Sequence, residues 1–591
     1  MSYHIGEVIV SLRGEIHCTQ SQLSKKLCSV TELTRIESNQ RVPNQFLLDM
    51  LFERLGKATD RLEYILPNAV YQLYELRFRI QREILYRRLE AAEELLEEYE
   101  KKKAAYQPLH TQFIEQERAQ IAWLRKKEAG SVLEHLQKAI AQTMEEEPVL
   151  NRETLLSADE IRLLLFRWEV CLGTEEERSV RELGRILEYM EQRIFETEEL
   201  VRVYPYAVIL CERQGIFTKK EIREAAEKAL ELLRDSGQIL FLVEILEILI
   251  RYSESEQEEK EYQEFGRSVV EVQKEYGVHY EEFPLFRCFN RIFELDSDVI
   301  RRTRSALHLS QEALCEDICT QETLSRIERG KNAPGNETMQ QLMKKMNREW
   351  QRVAMDLAIE KYEMMQAERT IAKLESRREY GKCEKEFEKL KDILDMTLLE
   401  NQQYFALKKL MFMVKKQEYS YEEAIAKLYE ILKLTLECKF SEIYKYPLTH
   451  REIRILNLIA VYHCWKGEVE AGVKVWSDIL SNLKGRNVAG AFLSREWELI
   501  AGNIARRTAE LGDEQRAVEI CGEQMKMELE IGKGAHMGYL LEIVTYALDK
   551  VEDKTYIFYF RNAMQWFKLM KHNHNYLFMK QYAEENHLDL S

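Results

Sequence analysis

Two short clusters of side chains are the first candidates for chemistry. Gln321, Glu322, Ser325 and Arg326 follow Thr320, and Val30, Thr31, Thr34 and Arg35 follow Ser29. Residues one, four and five places apart fall on one side of a helix, so each cluster forms a single face. The first face offers a carboxamide that donates and accepts, a carboxylate that accepts, and a guanidinium with only donors; the second pairs a guanidinium with two hydroxyls and an apolar Val. This is the chemistry of recognition by hydrogen bonds. The motifs of bond-making sites are missing: no GxxxxGK[ST], no GxGxxG after a strand, no HExxH and no GxSxG. Cys315 and Cys319 stand four apart, but no second pair or nearby His completes a zinc site, and they read as small core residues. His572, His574 and His587 near the end of the chain read as surface residues. Neither metal nor cofactor is expected, and no enzyme.

The elements that must position these faces carry start and stop signals. Ser310 and Thr320 are good N-caps, each before a short amphipathic stretch, with Leu314, Leu324 and Ile327 directed to one core. Gly330 suits the position just past the second stretch. Two short capped helices about ten residues apart make a helix-turn-helix.

The pattern occurs twice. Arg13, Gln20, Leu23, Leu33, Arg35, Ile36, Glu37 and Pro43 recur as Arg304, Gln311, Leu314, Leu324, Arg326, Ile327, Glu328 and Pro334 at a constant offset of 291. Ser157–Arg162 likewise aligns with Thr449–Arg454 at an offset of 292, and each opens on a capping box. Two matches at nearly one offset, in a chain of 591 residues, point to duplication of a unit of about 290. Each unit divides into a compact head and a longer helical body: 1–66 and 67–295, then 296–357 and 358–591.

The heads resemble the phage-repressor-like (XRE/Cro-type) DNA-binding family, on the helix-one Arg, the Ser/Thr-Gln, the Leu, the Ser/Thr-Arg-Ile-Glu and the later Pro. In the first head Asn39 stands where the second has Gly330, a mild departure because Asn tolerates the left-handed backbone. In both heads the turn is one residue shorter than in most of that family, as in the Rgg/PlcR-type peptide-sensing regulators, which carry a helical repeat body. The resemblance implies that Arg13–Glu37 and Arg304–Glu328 are buried ion pairs joining helices within each head. It implies that Gln20 and Gln311 make backbone or phosphate contacts that fix register. It makes Val30, Thr31, Thr34 and Arg35, and Gln321, Glu322, Ser325 and Arg326, the faces that reach base edges of double-stranded DNA. Arg suits guanine or a phosphate, Gln suits adenine, and Glu accepts from cytosine. Val30–Thr31 against Gln321–Glu322 predicts different half-sites and a loosely palindromic target.

Charge agrees with so local a role. Lys and Arg number 86 against 102 Asp and Glu, a net of −16. Residues 1–65 hold eight of each sign and 296–357 hold ten of each, so the bodies carry the excess and phosphate attraction is confined to the heads.

The bodies read as all-α. Gly is 23 and Pro only 8, too few for sandwiches or barrels. Leu85, Leu89, Ala92 and Leu96 show helical period, with charged runs on the solvated side. Tyr462, Gly467, Gly472 and Trp476, then Gly512 and Ala517, are similar to tetratricopeptide repeats, in which a Gly sits in the turn and a small residue permits close helix packing. Stacked pairs of that kind give an elongated concave surface. Asn457 and Asn503 fall on first helices of such pairs, and a carboxamide can clamp a peptide backbone. In the peptide-sensing relatives Asn residues do that work, so a signalling peptide is expected in the C-terminal body. The N-terminal body has Leu165 and Tyr206 at the comparable places and is expected to be structural.

Eleven scattered Cys imply a reducing cytoplasm. Met1–Val10 shows no signal peptide, and the apolar stretch Ile239–Ile250, broken by Glu244 and Glu247, reads as a core helix rather than a membrane span. The whole describes an all-α transcription regulator whose two heads form a pseudo-dimer within one chain, with further self-association left open. The alternative is a helical-repeat scaffold whose heads dock on protein.

Overall fold

The computed structural model describes residues 5–41, 43–59, 63–102, 107–151, 153–172, 180–193, 195–288, 291–346, 353–354, 362–376, 379–436 and 440–585. Among the described residues the fold is all-α apart from three short strands. Among the described residues no helix is long and apolar enough to cross a membrane. The apolar stretch near 240 is instead the helix Leu242–Arg251, with Leu242, Ile245, Leu246 and Leu249 buried.

The chain forms two compact units, and neither is one continuous stretch. The first comprises Met1–Ser11, Asp60–Tyr74 and Asn290–Ala517; the second comprises Leu12–Thr59, Glu75–Phe289 and Val518–Ser591.

In the first unit a small sheet lies beside the second helix-turn-helix region. β1 (Glu63–Leu66) is central, parallel to β2 (Ile292–Leu295) and antiparallel to β3 (Val353–Ala354). Tyr64 and Phe293 face each other across the β1–β2 register, their rings 6.1 Å apart, and both are fully buried. Antiparallel helix pairs follow. Gly467 ends the helix His450–Lys466 at a φ of 94°, and the chain turns into Val469–Lys484. Gly472 is required by packing: a Cβ there would lie 2.7 Å from the carbonyl oxygen of Ala460. The expected division of labour, one Gly for the turn and one for close approach, is present.

In the second unit successive helix pairs run from Asn68–Leu85 to Glu256–Glu275. The last four helices of the chain belong to this unit for most of their length, because they pack on that series. The loop after Lys219–Ser236 meets the loop after Glu514–Ile531 as an antiparallel bridge, Gln238 opposite Lys533. Ile239 N donates to Gly532 O at 3.1 Å, and Gly534 N donates to Gly237 O at 3.0 Å. The helices Glu256–Glu275 and Tyr556–Leu569 pack together, with Ser268 Oγ donating to Asn562 Oδ1 at 2.6 Å.

Candidate nucleic-acid interface

Each head is built on the local signals its sequence carries. Ser310 Oγ accepts from Ala313 N and starts Gln311–Cys315; Thr320 Oγ1 accepts from Thr323 N and starts Gln321–Glu328. In the first head Thr19 and Ser29 cap Gln20–Ser24 and Val30–Glu37 in the same way. Gly330 follows the helix Gln321–Glu328 at a φ of 68°, and Asn39 takes the same left-handed conformation at 58° after Val30–Glu37, as its short polar side chain allows. Leu314, Leu324 and Ile327 share one core with Cys315 and four buried or nearly buried residues of the following helix, Met339, Leu342, Met343 and Met346; Cys319 packs at its edge.

The Arg–Glu pairs form in both heads. Arg13 meets Glu37 at 2.8 and 3.3 Å, and Arg304 meets Glu328 at 2.5 and 3.0 Å. The remaining guanidinium nitrogen donates to Cys18 O at 2.8 Å in one head and to Leu309 O at 2.7 Å in the other. The Arg13 guanidinium is held above its ordinary pKa chiefly by its hydrogen bond to Glu37.

A third member of this network was not legible from spacing. Gln20 Nε2 donates to Glu37 Oε2 at 2.6 Å, and Gln311 Nε2 donates to Glu328 Oε2 at 2.6 Å. The amide donors thus lie on the buried carboxylate, and Gln20 Oε1 also accepts from Thr34 Oγ1 at 3.3 Å. Each amide spends one of its two N–H groups on this bond, and the two Gln orient the helices Val30–Glu37 and Gln321–Glu328 against the helices before them.

Above that network the two faces singled out in the sequence are open. Val30, Thr31, Thr34 and Arg35 are all exposed, Val30 at 44%, and among the described residues the Arg35 guanidinium has no side-chain partner. Gln321, Glu322 and Arg326 are exposed and Ser325 is half-buried. They line an open depression of about 810 Å³ that also takes in Arg329, Lys331 and Asn332. Arg326 rests on Glu322 at 3.1 Å, and Arg329 donates to Ser325 Oγ at 2.8 Å. The face of the first head sets one guanidinium among two hydroxyls and an apolar Val; that of the second sets a guanidinium against a carboxylate, beside a carboxamide and a hydroxyl.

The first head has a further support that sequence reasoning missed. Arg54, almost wholly buried, donates to Glu160 at 2.6 and 3.1 Å, to Lys25 O at 2.7 Å in the turn, and to Thr143 O at 2.7 Å. This fastens the head to the helices beside it. The corresponding position of the second head, Lys345, is exposed and reaches Glu316 O at 2.9 Å. Arg54 ends the helix Gln45–Arg54, which also carries Asp49 and Glu53, so its type and position gave no distinguishing signal.

Asn457 and Asn503 lie on the helices His450–Lys466 and Ser494–Glu510. Asn457 is buried, and its Oδ1 accepts from Trp476 Nε1 at 2.8 Å. Asn503 is exposed and donates to Asn457 Oδ1 and Leu499 O, both at 3.3 Å. The two Asn are brought together, but only Asn503 faces outward. Leu165 and Tyr206 are buried core residues in the N-terminal body, Tyr206 lying flat on Phe241 at 5.1 Å.

Residues 300–352 match the helix-turn-helix family. No match is found among curated proteins. Solved structures similar to the chain include PlcR of Bacillus thuringiensis in complex with the peptide PapR7 and DNA, at 19% identity over 49% of this chain and 98% of that one, with a TM-score of 0.31. PlcR in its apo form is similar at 14% identity over 48% and 98%, with a TM-score of 0.32. The SHP pheromone receptor Rgg2 of Streptococcus dysgalactiae is similar at 13% identity over 49% and 99%, with a TM-score of 0.27.

Proposed function

We propose that the chain is a sequence-specific DNA-binding transcription regulator, cytoplasmic, with two heads that read two half-sites. The observation that carries this reading is the helix Gln321–Glu328, capped, with an exposed polar face and seated on an Arg304–Glu328–Gln311 network around the buried Glu328 carboxylate, within the segment that matches the helix-turn-helix family. A recognition helix needs side chains free to enter the major groove and a rigid base behind them. The first head has the same network and the same helix, so we assign it the same role.

We propose further that duplication made the chain from two sequential copies, 1–66 with 67–295 and 296–357 with 358–591, which fold as an intramolecular pseudo-dimer. The backbone supports this. Left-handed residues recur at the offset of 291: His17 and His308, Lys26 and Asp317, Asn39 and Gly330. Steric cost keeps this conformation uncommon outside Gly, so three coincidences are informative. Peptide control through the C-terminal body belongs to the same proposal, with Asn503 as the outward-facing amide and Asn457 behind it.

A salt titration of binding to a duplex tests the reading. Binding should weaken steeply as salt rises, and Arg35→Ala combined with Arg326→Ala should lower affinity and reduce the slope. Salt-independent behaviour would instead favour heads that dock on protein.

A further inference from the structure

After the helix Glu256–Glu275, residues 276–288 run without regular structure, and their backbone is held by side chains. Gln81 makes a two-point contact: Nε2 donates to Leu285 O at 3.3 Å, and Oε1 accepts from Arg287 N at 3.1 Å. Gln120 Nε2 donates to Glu282 O at 2.7 Å, Arg87 donates to Glu281 O, and Leu85 O accepts from His279 N at 3.0 Å. The Arg287 guanidinium is seated on Asp159 at 3.0 Å and on Glu53. Gln81, Gln120 and Asp159 lie on Asn68–Leu85, Pro108–Leu124 and Ala158–Cys171, the first helices of three successive pairs. Val278, Tyr280, Phe283, Leu285 and Phe286 are buried to 5% exposure or less, while Glu281 and Glu282 face solvent.

A connector that only bridges two elements runs over the surface with its backbone in water. This one buries five apolar side chains and exchanges hydrogen bonds with a fully buried carboxamide at residues two apart. That is how a bound peptide is held when its backbone, rather than its side chains, is recognised. We propose that this face of the N-terminal repeat region is a peptide-binding site whose resident ligand is the chain's own segment Val278–Arg287. The ligand class it takes is an extended peptide with closely spaced aromatic and aliphatic side chains and a cation near its C-terminal end. Tethering sets an effective concentration in the millimolar range, so a soluble peptide of ordinary affinity does not displace the segment. The N-terminal body is thereby held in a permanently occupied state and takes no external effector. The inference stands apart from the DNA-binding reading.

The test uses the full chain and a fluorescent synthetic peptide of residues 278–288, followed by anisotropy. The unaltered protein should not bind it. A variant with 278–288 replaced by a Gly-Ser stretch of equal length should bind it, and adding Gln81→Leu should weaken that binding at least about tenfold. A folded replacement variant that ignores the peptide, or an unaltered protein that binds it as well, overturns the proposal. Should the replacement variant fail to fold, hydrogen exchange in the unaltered protein and in Gln81→Leu decides. The Arg287 amide should be protected and should exchange at least about tenfold faster in the variant. Exchange at the free-peptide rate before substitution, or no change after it, overturns the proposal equally.

Discussion

Glu63 stands opposite Ala354 in the antiparallel pairing of β1 and β3, and Ala354 is the residue 291 places further on, its counterpart under the proposed repeat. A residue can face its counterpart in an antiparallel ladder only where a local two-fold axis passes between them. The bridge of Gln238 to Lys533 has the same character in the other unit: each follows a left-handed Gly at the end of an 18-residue helix, and the flanking hydrogen bonds are exchanged reciprocally. Two such pairings are what the proposed intramolecular pseudo-dimer requires, because an isologous contact sets each element against its counterpart.

In the proposed pseudo-dimer the surfaces that two separate copies would use on each other are already occupied. One chain should bind one two-half-site duplex, and light scattering of the purified complex should give a 1:1 mass. Two chains per duplex would count against the pseudo-dimer.

The Arg304–Glu328 pair predicts a stability effect of definite sign. Arg304→Ala leaves Glu328 buried with Gln311 as its remaining partner from this network, and unfolding in urea should show a loss of about 3 kcal/mol. Removing both charges should cost less than the sum of the single losses, a coupling that a double-mutant cycle would read.

Glu117 predicts a pH dependence. It is fully buried, accepts from Gln81 Nε2 at 2.7 Å, and burial pushes its carboxyl up to about 7. The folded state then holds a proton that the unfolded chain releases near 4.5. Stability from this group is present below that value and is lost as pH rises toward 7, by up to about 3 kcal/mol. Glu117→Gln should flatten the melting temperature between pH 5 and 8 relative to the unaltered protein. An unchanged profile would mean that the carboxyl ionises without penalty.

Gly472 predicts a packing effect. Gly472→Ala drives a methyl group against the backbone carbonyl of Ala460 and the Sγ of Cys464, and neither a helix backbone nor its neighbour can yield cheaply. Thermal unfolding should register a loss of about 1–3 kcal/mol. The same change at Gly130, where nothing lies within 4 Å of the added Cβ, should be neutral or slightly stabilising.

Much of the head was determined by the sequence alone, because its signals are local. Ser310 and Thr320 cap helices a few residues away, Asn39 and Gly330 end them, and Arg304 lies only 24 residues from Glu328. Such choices depend on backbone sterics and short-range hydrogen bonds, which spacing encodes directly. The tertiary structure decided the rest. Asn457 and Asn503 have the right chemistry for a clamp, yet the indole of Trp476 takes the carbonyl oxygen of one of them. Gln81 carried no motif at all, and it became a clamp because the chain returns 206 residues later to lay its backbone there. A carboxamide's function depends on what it faces, and facing is settled by long-range packing of apolar residues such as Phe283 and Phe286, which periodicity marks as core without saying against what.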